Sequence, residues 1–186
     1  MEELFNTFSC KSWIILKEDH AHKLVQMLSL QKRRDDLSWE QLLEGQDKTP
    51  NTLIFTSAAK GYVIVEGDML EQKGTSIAEL LSADDLVFNM TIDIWVPYMY
   101  IEIFDQGKLI RRLEYNLDVE ADSVVAIESG DKSSWEKEIN YTPESTLGYD
   151  DFFYPLYFIN SLGIGMAELK QLYNSKCTSY DCASNL

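Results

Sequence analysis

The sequence predicts an α+β fold, with a mainly antiparallel sheet of five to seven strands and with N-terminal and C-terminal helices packed on that sheet. Two observations predict the sheet: apolar and polar residues alternate from Leu86 to Ile94, and two apolar runs flank the turn sequence Asp105-Gln106-Gly107. A third observation predicts the helices, because apolar residues near both ends of the chain recur at intervals of three and four.

The N-terminal part of the chain is predicted to contain one strand and two helices. Residues 13–16 are consecutive apolar residues typical of a strand, and Asp19 is placed to cap the helix that follows. The sequence Ser-Trp-Glu-Gln at 38–41 resembles a capping box, and Gly45 is the expected end of that second helix. The basic run 32–34 between the two helices is predicted to be a solvated connection.

The middle of the chain is predicted to contain a pair of strands, a helix and the alternating strand. Residues 53–55 and 62–65 indicate paired strands, and the apolar positions between 77 and 81 indicate a helix. The alternating strand is expected to bury one face and to leave the other face in water, with Asn89, Thr91 and Asp93 on the wet side.

The C-terminal part of the chain is predicted to add a strand at 124–127 and two helices. The first helix begins near Pro155 and ends at Gly163, and Leu169 lies on the apolar side of the second. The segment 175–186 has few apolar residues and is predicted to be a flexible tail. The chain of 186 residues is therefore predicted to form a single domain over 1–174.

The hairpin that begins at Tyr98 carries the candidate binding site. A loop of two or four residues would place Glu102 opposite Arg111 and Asp105 opposite Lys108. Tyr and Arg are enriched at interface hot spots, which favours a binding role for such a face. The alternative is that Glu102 and Arg111 form an ordinary cross-strand pair worth about 0.2 to 1 kcal/mol. On this register the candidate residues that share one face are Tyr98, Tyr100, Glu102, Arg111 and Tyr115.

The charge of the chain argues against some classes of partner. There are 31 acidic and 16 basic residues, and the net charge of −15 repels nucleic acids and anionic membrane surfaces. A basic protein partner would be attracted, although acidity that only keeps the protein in solution is the alternative explanation. We expect no signal peptide and no membrane span, and the three cysteines without framework spacing favour a cytoplasmic location.

The sequence lacks the usual signatures of catalysis. His20 and His22 would point in different directions on a helix, and Cys177 and Cys182 have no matching second pair, so we expect no metal and no cofactor. No nucleophile elbow, phosphate-binding loop or dinucleotide fingerprint is present, and no catalytic residue is assigned. Most members of one set of aromatic residues are expected in the core; the set is Phe88, Trp95, Phe104, Phe152 and Phe153.

Several short motifs occur in order along the chain: Ser12-Trp13-Ile14, Ser38-Trp39-Glu40, Gly61 to Gly67, Gly107-x-Leu109-Ile110-Arg111-x-x-x-Tyr115 and Leu162-Gly163-Ile164 before Leu169. Taken together, they resemble the pattern of a known group of proteins. The group is a broad set of poorly characterised bacterial proteins, and Tyr62 stands where that group usually has Trp. The resemblance implies a cytoplasmic α+β protein with an antiparallel sheet and no established activity. Immunity proteins that neutralise secreted toxins are often small acidic α+β proteins of this kind.

Three functions are compatible with these observations. The first is a non-catalytic immunity or antitoxin-like protein that binds and occludes a basic protein. The second is a small-molecule or peptide-binding module that uses the Tyr and Arg face of the hairpin. The third is a hydrolase with paired carboxylates, which requires two acids that converge in a cleft. The sequence does not indicate the oligomeric state.

Overall fold

The structure is a computed structural model that describes residues 10–45, 48–93, 95–96, 98–118, 123–132, 136 and 154–182. Phe152 and Phe153, which were expected in the core, lie outside the described residues. The described helices and strands confirm an α+β protein with a large antiparallel sheet.

The described residues form nine strands and five α-helices. The strands are β1 (Cys10–Lys17), β2 (Gln31–Arg34), β3 (Thr52–Phe55), β4 (Tyr62–Glu66), β5 (Val87–Asp93), β6 (Tyr98–Asp105), β7 (Lys108–Asp118), β8 (Ser123–Ser129) and β9 (Thr178–Asp181). The helices are α1 (Ala21–Met27), α2 (Trp39–Leu43), α3 (Leu70–Leu81), α4 (Tyr154–Ser161) and α5 (Met166–Asn174), and a 3-10 turn at Glu18–His20 precedes α1.

All nine strands belong to one sheet with the order β2-β9-β3-β4-β1-β5-β6-β7-β8, and every neighbouring pair is antiparallel. The predicted number of five to seven strands was therefore too low. Helices cover the sheet on both sides, but the longest of the described helices, α3, comes from the middle of the chain and not from either end.

Two apolar cores follow from the alternation of side chains along the strands. On the first face of the sheet, Trp13, Phe88 and Ile101 pack with residues of α2, α4 and α5. On the second face, Ile14 and Val65 pack with residues of α1 and α3. Because both faces are covered, the central strands are apolar in both directions along much of their length.

The second face of β5 is not the wet face that the alternation predicted. Asn89 is only 2 % exposed, and Thr91 and Asp93 are half-buried. The reason is that α3 lies across this face, with Leu70, Ile77 and other residues of one helical stripe turned toward the sheet. A polar residue on a strand can thus be buried whenever a later helix covers it.

Two predictions about irregular segments were wrong. The basic run 32–34 was expected to be a connection, but it belongs to the edge strand β2, where charged side chains are common because they oppose edge-to-edge pairing. The segment 175–186 was expected to be a flexible tail, but β9 lies between β2 and β3. Asp181 of β9 accepts hydrogen bonds from Thr52 at 2.9 Å and from Arg33 at 2.9 Å, which attach the strand to both neighbours.

Candidate functional site

The hairpin between β6 and β7 has the predicted turn but a different register. Gln106 and Gly107 have φ values of 51° and 70°, as a two-residue type I′ turn requires, and Asp105 pairs with Lys108 as predicted. The register then shifts by one residue, so that Phe104 pairs with Leu109 while Ile103 pairs with Arg111. This β-bulge reverses the faces of all later residues of β7.

The bulge separates the five predicted site residues into two groups. Glu102 pairs with Arg112, and not with Arg111, so the predicted Glu102–Arg111 pair is wrong. Tyr98, Tyr100 and Glu102 lie on the second face of the sheet, whereas Arg111 and Tyr115 lie on the first face. A binding face or a pocket that contains all five residues is therefore excluded.

Arg111 and Tyr115 belong to a buried ionic cluster on the first face. Arg111 is 2 % exposed; its Nε donates to Glu136 at 3.0 Å and its Nη2 donates to Glu128 at 3.0 Å. The hydroxyl of Tyr115 donates to the other oxygen of Glu128 at 2.6 Å. Burial opposes the charge of Arg111, but the hydrogen bonds from its guanidinium to Glu136 and Glu128 outweigh that effect and raise its pKa. These contacts give Arg111 a structural role.

The second face presents a half-buried set of side chains that we name the tyrosine cluster: Tyr98, Tyr100, Arg112 and Glu114. The two tyrosine rings stack with centroids 6.4 Å apart and an interplanar angle of 11°. The guanidinium of Arg112 lies 5.2 Å from the centroid of the Tyr100 ring and donates to Glu114 at 2.5 Å. Sequence reasoning missed Arg112 because its neighbour Arg111 is the same residue type, and only the bulge determines which of the two shares a face with the tyrosines.

Glu102 lies beneath the tyrosine cluster and is only 1 % exposed. Its Oε2 accepts hydrogen bonds from Thr75 Oγ1 at 2.7 Å and from Asn89 Nδ2 at 3.1 Å. Thr75 belongs to α3 and Asn89 to β5, so the carboxylate joins a helix to two strands. This buried network holds the floor of the cluster in place.

The surroundings of Tyr98 and Tyr100 raise the pKa of both phenols. Burial, followed by the charge of Glu114, raises the pKa of Tyr98 to about 12. Burial and the hydrogen bond to Glu102 raise the pKa of Tyr100 above its ordinary value as well. Both phenols are neutral at physiological pH, as tyrosine side chains ordinarily are. Neutral phenols next to carboxylates can accept hydrogen bonds and can offer ring faces to a cation.

Helix α3 approaches β5 closely at Gly74, and this approach allows Thr75 of the helix and Asn89 of the strand to reach Glu102. A Cβ added at Gly74 would lie 2.3 Å from Asn89 Oδ1, so no residue larger than glycine fits while Asn89 keeps its position. Gly74→Ala should lower the free energy of unfolding by about 1 to 3 kcal/mol, because Asn89 must move away from Glu102.

In the Asn89→Ala background the same substitution should instead stabilise the protein by about 0.5 to 1 kcal/mol, since alanine is the better helix former and the obstacle is gone. Urea denaturation of the wild type, the two single variants and the double variant tests the change of sign. The same sign in both backgrounds would show that the Gly74–Asn89 contact does not limit the approach of the helix.

A cleft of about 410 Å³ adjoins the tyrosine cluster at Tyr98. Its walls carry the carboxylates of Asp68, Glu71 and Asp93, together with Lys11 and the exposed side chain of Val96. Trp95, which was expected in the core, precedes Val96 and is 77 % exposed. The signal for this exposure was its position at the end of a strand and before Pro97.

Metal binding and thiol reactivity can be examined for the described side chains, which include Cys177 and Cys182. Within them, no group of three or more His, Cys, Asp or Glu side chains could hold a metal ion. Burial raises the pKa of the Cys177 thiol to about 12, and burial also raises the pKa of Cys182. These thiols are therefore poor nucleophiles at neutral pH. In the same part of the chain, no helix has the length and apolar character needed to cross a membrane.

The fold and the site together define an α+β protein with a nine-stranded antiparallel sheet in its described part and a polar, tyrosine-containing surface on one face of that sheet. Comparison with protein-family models, curated proteins and solved structures found no match for this chain.

Proposed function

We propose that this chain is a non-catalytic, acidic binding protein that acts in the bacterial cytoplasm and occludes a basic protein, in the manner of an immunity protein or antitoxin. The observation that carries the proposal is the tyrosine cluster beside the acidic cleft. Neutral phenol rings and surrounding carboxylates form a surface that suits the Lys and Arg side chains of a protein partner.

The local charge supports a cationic partner. In and next to the cluster and the cleft, carboxylates outnumber cationic side chains, since Lys11, Lys48 and Arg112 face a larger set of acids. The acids are Asp68, Glu71, Asp93 and Glu114. The net charge of −15 adds a long-range field of the same sign, which would accelerate association with a basic partner.

A charge reversal in the cleft tests where the partner binds. Glu71→Lys should slow the association with a basic partner about tenfold at low ionic strength, and the effect should shrink as salt is added. Glu79→Lys is the matched control, because Glu79 is an exposed residue of the same helix that does not line the cleft, and its substitution changes the net charge equally.

The measurement is biolayer interferometry against a panel of folded basic proteins. The panel includes the protein encoded by the gene next to the one that encodes this chain. Equal slowing by the two substitutions would show that only the total charge matters and that the cleft is not the site. Absence of salt-sensitive binding to every basic protein in the panel would reject the proposed function.

A small polar ligand or a peptide is the second candidate, and the cleft itself favours it. Its volume of about 410 Å³ lies within the range of about 300 to 1,000 Å³ that is usual for ligand pockets. Of the five residues predicted to bind, however, only Tyr98 lines this cleft. Saturable binding of a small molecule that Glu71→Lys abolishes, without any binding of basic proteins, would favour this candidate over the first.

The proposal of a carboxylate-dependent hydrolase has weaker support. Glu66 and Asp68 converge on Lys48 at 2.9 Å each, but Glu66 is only 1 % exposed and is not accessible to a substrate. We therefore assign no catalytic residue.

A further inference from the structure

Two large apolar side chains project into solvent beside the acidic cleft. Trp95 is 77 % exposed and Val96 is 64 % exposed, and they follow each other between β5 and β6. The other tryptophans of the described residues, Trp13 and Trp39, are almost fully buried. Trp95 and the adjacent Val96 together form an exposed apolar patch beside charged side chains, and such a patch with a polar rim indicates an interaction site.

The backbone of these two residues is held before any partner arrives. Oδ1 of Asp93 accepts the N–H of Trp95 at 2.9 Å and the N–H of Val96 at 3.2 Å. Asp93 and Tyr98, on either side, are paired in the ladder between β5 and β6. A contact through Trp95 and Val96 therefore begins with backbone N–H groups that are already hydrogen-bonded, which lowers the entropy lost on binding.

The charges around Trp95 and Val96 determine which class of partner can bind them. Val96 shares the cleft with Asp68, Glu71 and Asp93, so an apolar contact here is made beside several carboxylates. A second copy of this chain would bring a further charge of −15, and an anionic membrane would be repelled for the same reason. A protein surface with an apolar pocket surrounded by Lys and Arg is complementary both to the two apolar side chains and to the carboxylates.

We infer that Trp95 and Val96 form the apolar anchor of the interface and insert into an apolar pocket on the basic partner, whose surrounding Lys and Arg side chains face the acidic cleft. This inference rests on the proposed function. It adds that charge alone does not hold the complex and that the partner's surface must contain an apolar depression next to its basic residues.

A randomised peptide library displayed on phage tests the inference, because it requires no knowledge of the natural partner. Selection against the intact protein should enrich peptides that combine Lys or Arg with aromatic or large aliphatic residues. A synthetic peptide from the most enriched group should bind about tenfold or more weakly to Trp95→Ser and to Val96→Ser. Leu80→Ser is the matched control, since Leu80 is 66 % exposed but lies outside the cleft.

Fluorescence supplies an independent readout. Binding of the synthetic peptide should shift the tryptophan emission to shorter wavelengths in the wild-type protein and not in Trp95→Phe, because Trp95 leaves water. To test for membrane binding, the same fluorescence titration is made with zwitterionic vesicles and with anionic phosphatidylglycerol vesicles. To test for self-association, the free protein is sedimented over a range of concentrations. No shift with vesicles and no self-association are expected.

The outcomes separate the inference from the function on which it rests. Enriched basic peptides whose affinity is the same for Trp95→Ser and for the Leu80→Ser control would overturn the anchor while leaving the basic partner in place. A Trp95-dependent shift with vesicles, or self-association that Trp95→Ser abolishes, would overturn the inference in favour of a membrane or a second copy. Selection without any enrichment of basic residues would overturn both proposals.

Discussion

Replacement of Arg111 by alanine should lower the free energy of unfolding by about 3 to 5 kcal/mol. The guanidinium is 2 % exposed and donates to the carboxylates of Glu136 and Glu128 and to the carbonyl of Ser129 at 3.0 Å. Removal of the guanidinium leaves the carboxylates poorly solvated and without their cation. An unpaired buried carboxylate destabilises the folded protein by far more than the intact ion pair stabilises it.

The neighbouring Arg112 provides the control for this substitution. It is half-buried, its ion pair with Glu114 is partly solvated, and Arg112→Ala should lower the free energy of unfolding by no more than about 1 kcal/mol. Urea denaturation followed by circular dichroism measures both values.

The same two variants separate structure from binding. Because Arg111 lies on the face opposite the tyrosine cluster, Arg111→Ala should keep its affinity for a basic partner at temperatures where it is folded. Loss of binding by folded Arg111→Ala, or similar destabilisation by both variants, would contradict the assignment of Arg111 to a structural cluster.

Replacement of Lys48 by methionine should also lower the free energy of unfolding by about 3 to 5 kcal/mol at neutral pH. Lys48 Nζ lies 2.9 Å from Glu66, whose side chain is 1 % exposed, and 2.9 Å from the exposed Asp68. Methionine keeps most of the aliphatic volume of lysine but removes the charge, so that Glu66 remains buried without a cation.

The loss of unfolding free energy caused by Lys48→Met should depend on pH. Burial raises the pKa of the Glu66 carboxyl above its ordinary value, although Lys48 opposes the change. An acid with a raised pKa in the folded protein contributes stability that is fully present below the unfolded pKa and is lost as the pH rises through the folded pKa. Without Lys48 the pKa rises further, so the deficit of Lys48→Met should be smaller near about pH 5 than at neutral pH.

Two further variants complete this experiment. Lys48→Met combined with Glu66→Leu removes both charges and should recover most of the lost stability. Lys23→Met removes an exposed ion pair with Asp84 and should leave the free energy of unfolding nearly unchanged. Urea denaturation at several pH values measures all of them; a deficit that does not vary with pH would mean that Glu66 is not the group responsible.

Local sequence signals predicted most elements of this fold. The capping box at Ser38 is present, with Gln41 N donating to Ser38 Oγ at 3.2 Å and Ser38 N donating to Gln41 Oε1 at 2.9 Å. The Gln106-Gly107 turn is where the sequence places it. Such features depend on contacts between residues only a few positions apart, and for that reason a single sequence reveals them.

The candidate site was predicted only in part, and one residue explains why. Ile110 is the additional residue of the bulge, between Leu109, which pairs with Phe104, and Arg111, which pairs with Ile103. Leu109 and Ile110 are both apolar and both more than two-fifths exposed, so the apolar pattern contains no signal for the shift. A shift of one residue moved Arg111 to the core side and placed Arg112 beside the tyrosines.

The sequence by itself determined the class of the fold, the hairpin and its turn, the acidity of the surface and the positions of most helices, because these depend on composition and on neighbours along the chain. Only the tertiary structure decided that β9 enters the sheet, that α3 buries Asn89 and Glu102, and that Trp95 stays in water. Those outcomes depend on which distant segments cover a strand or pair with it, and the free energy of such burial is not encoded in the local pattern of any one segment.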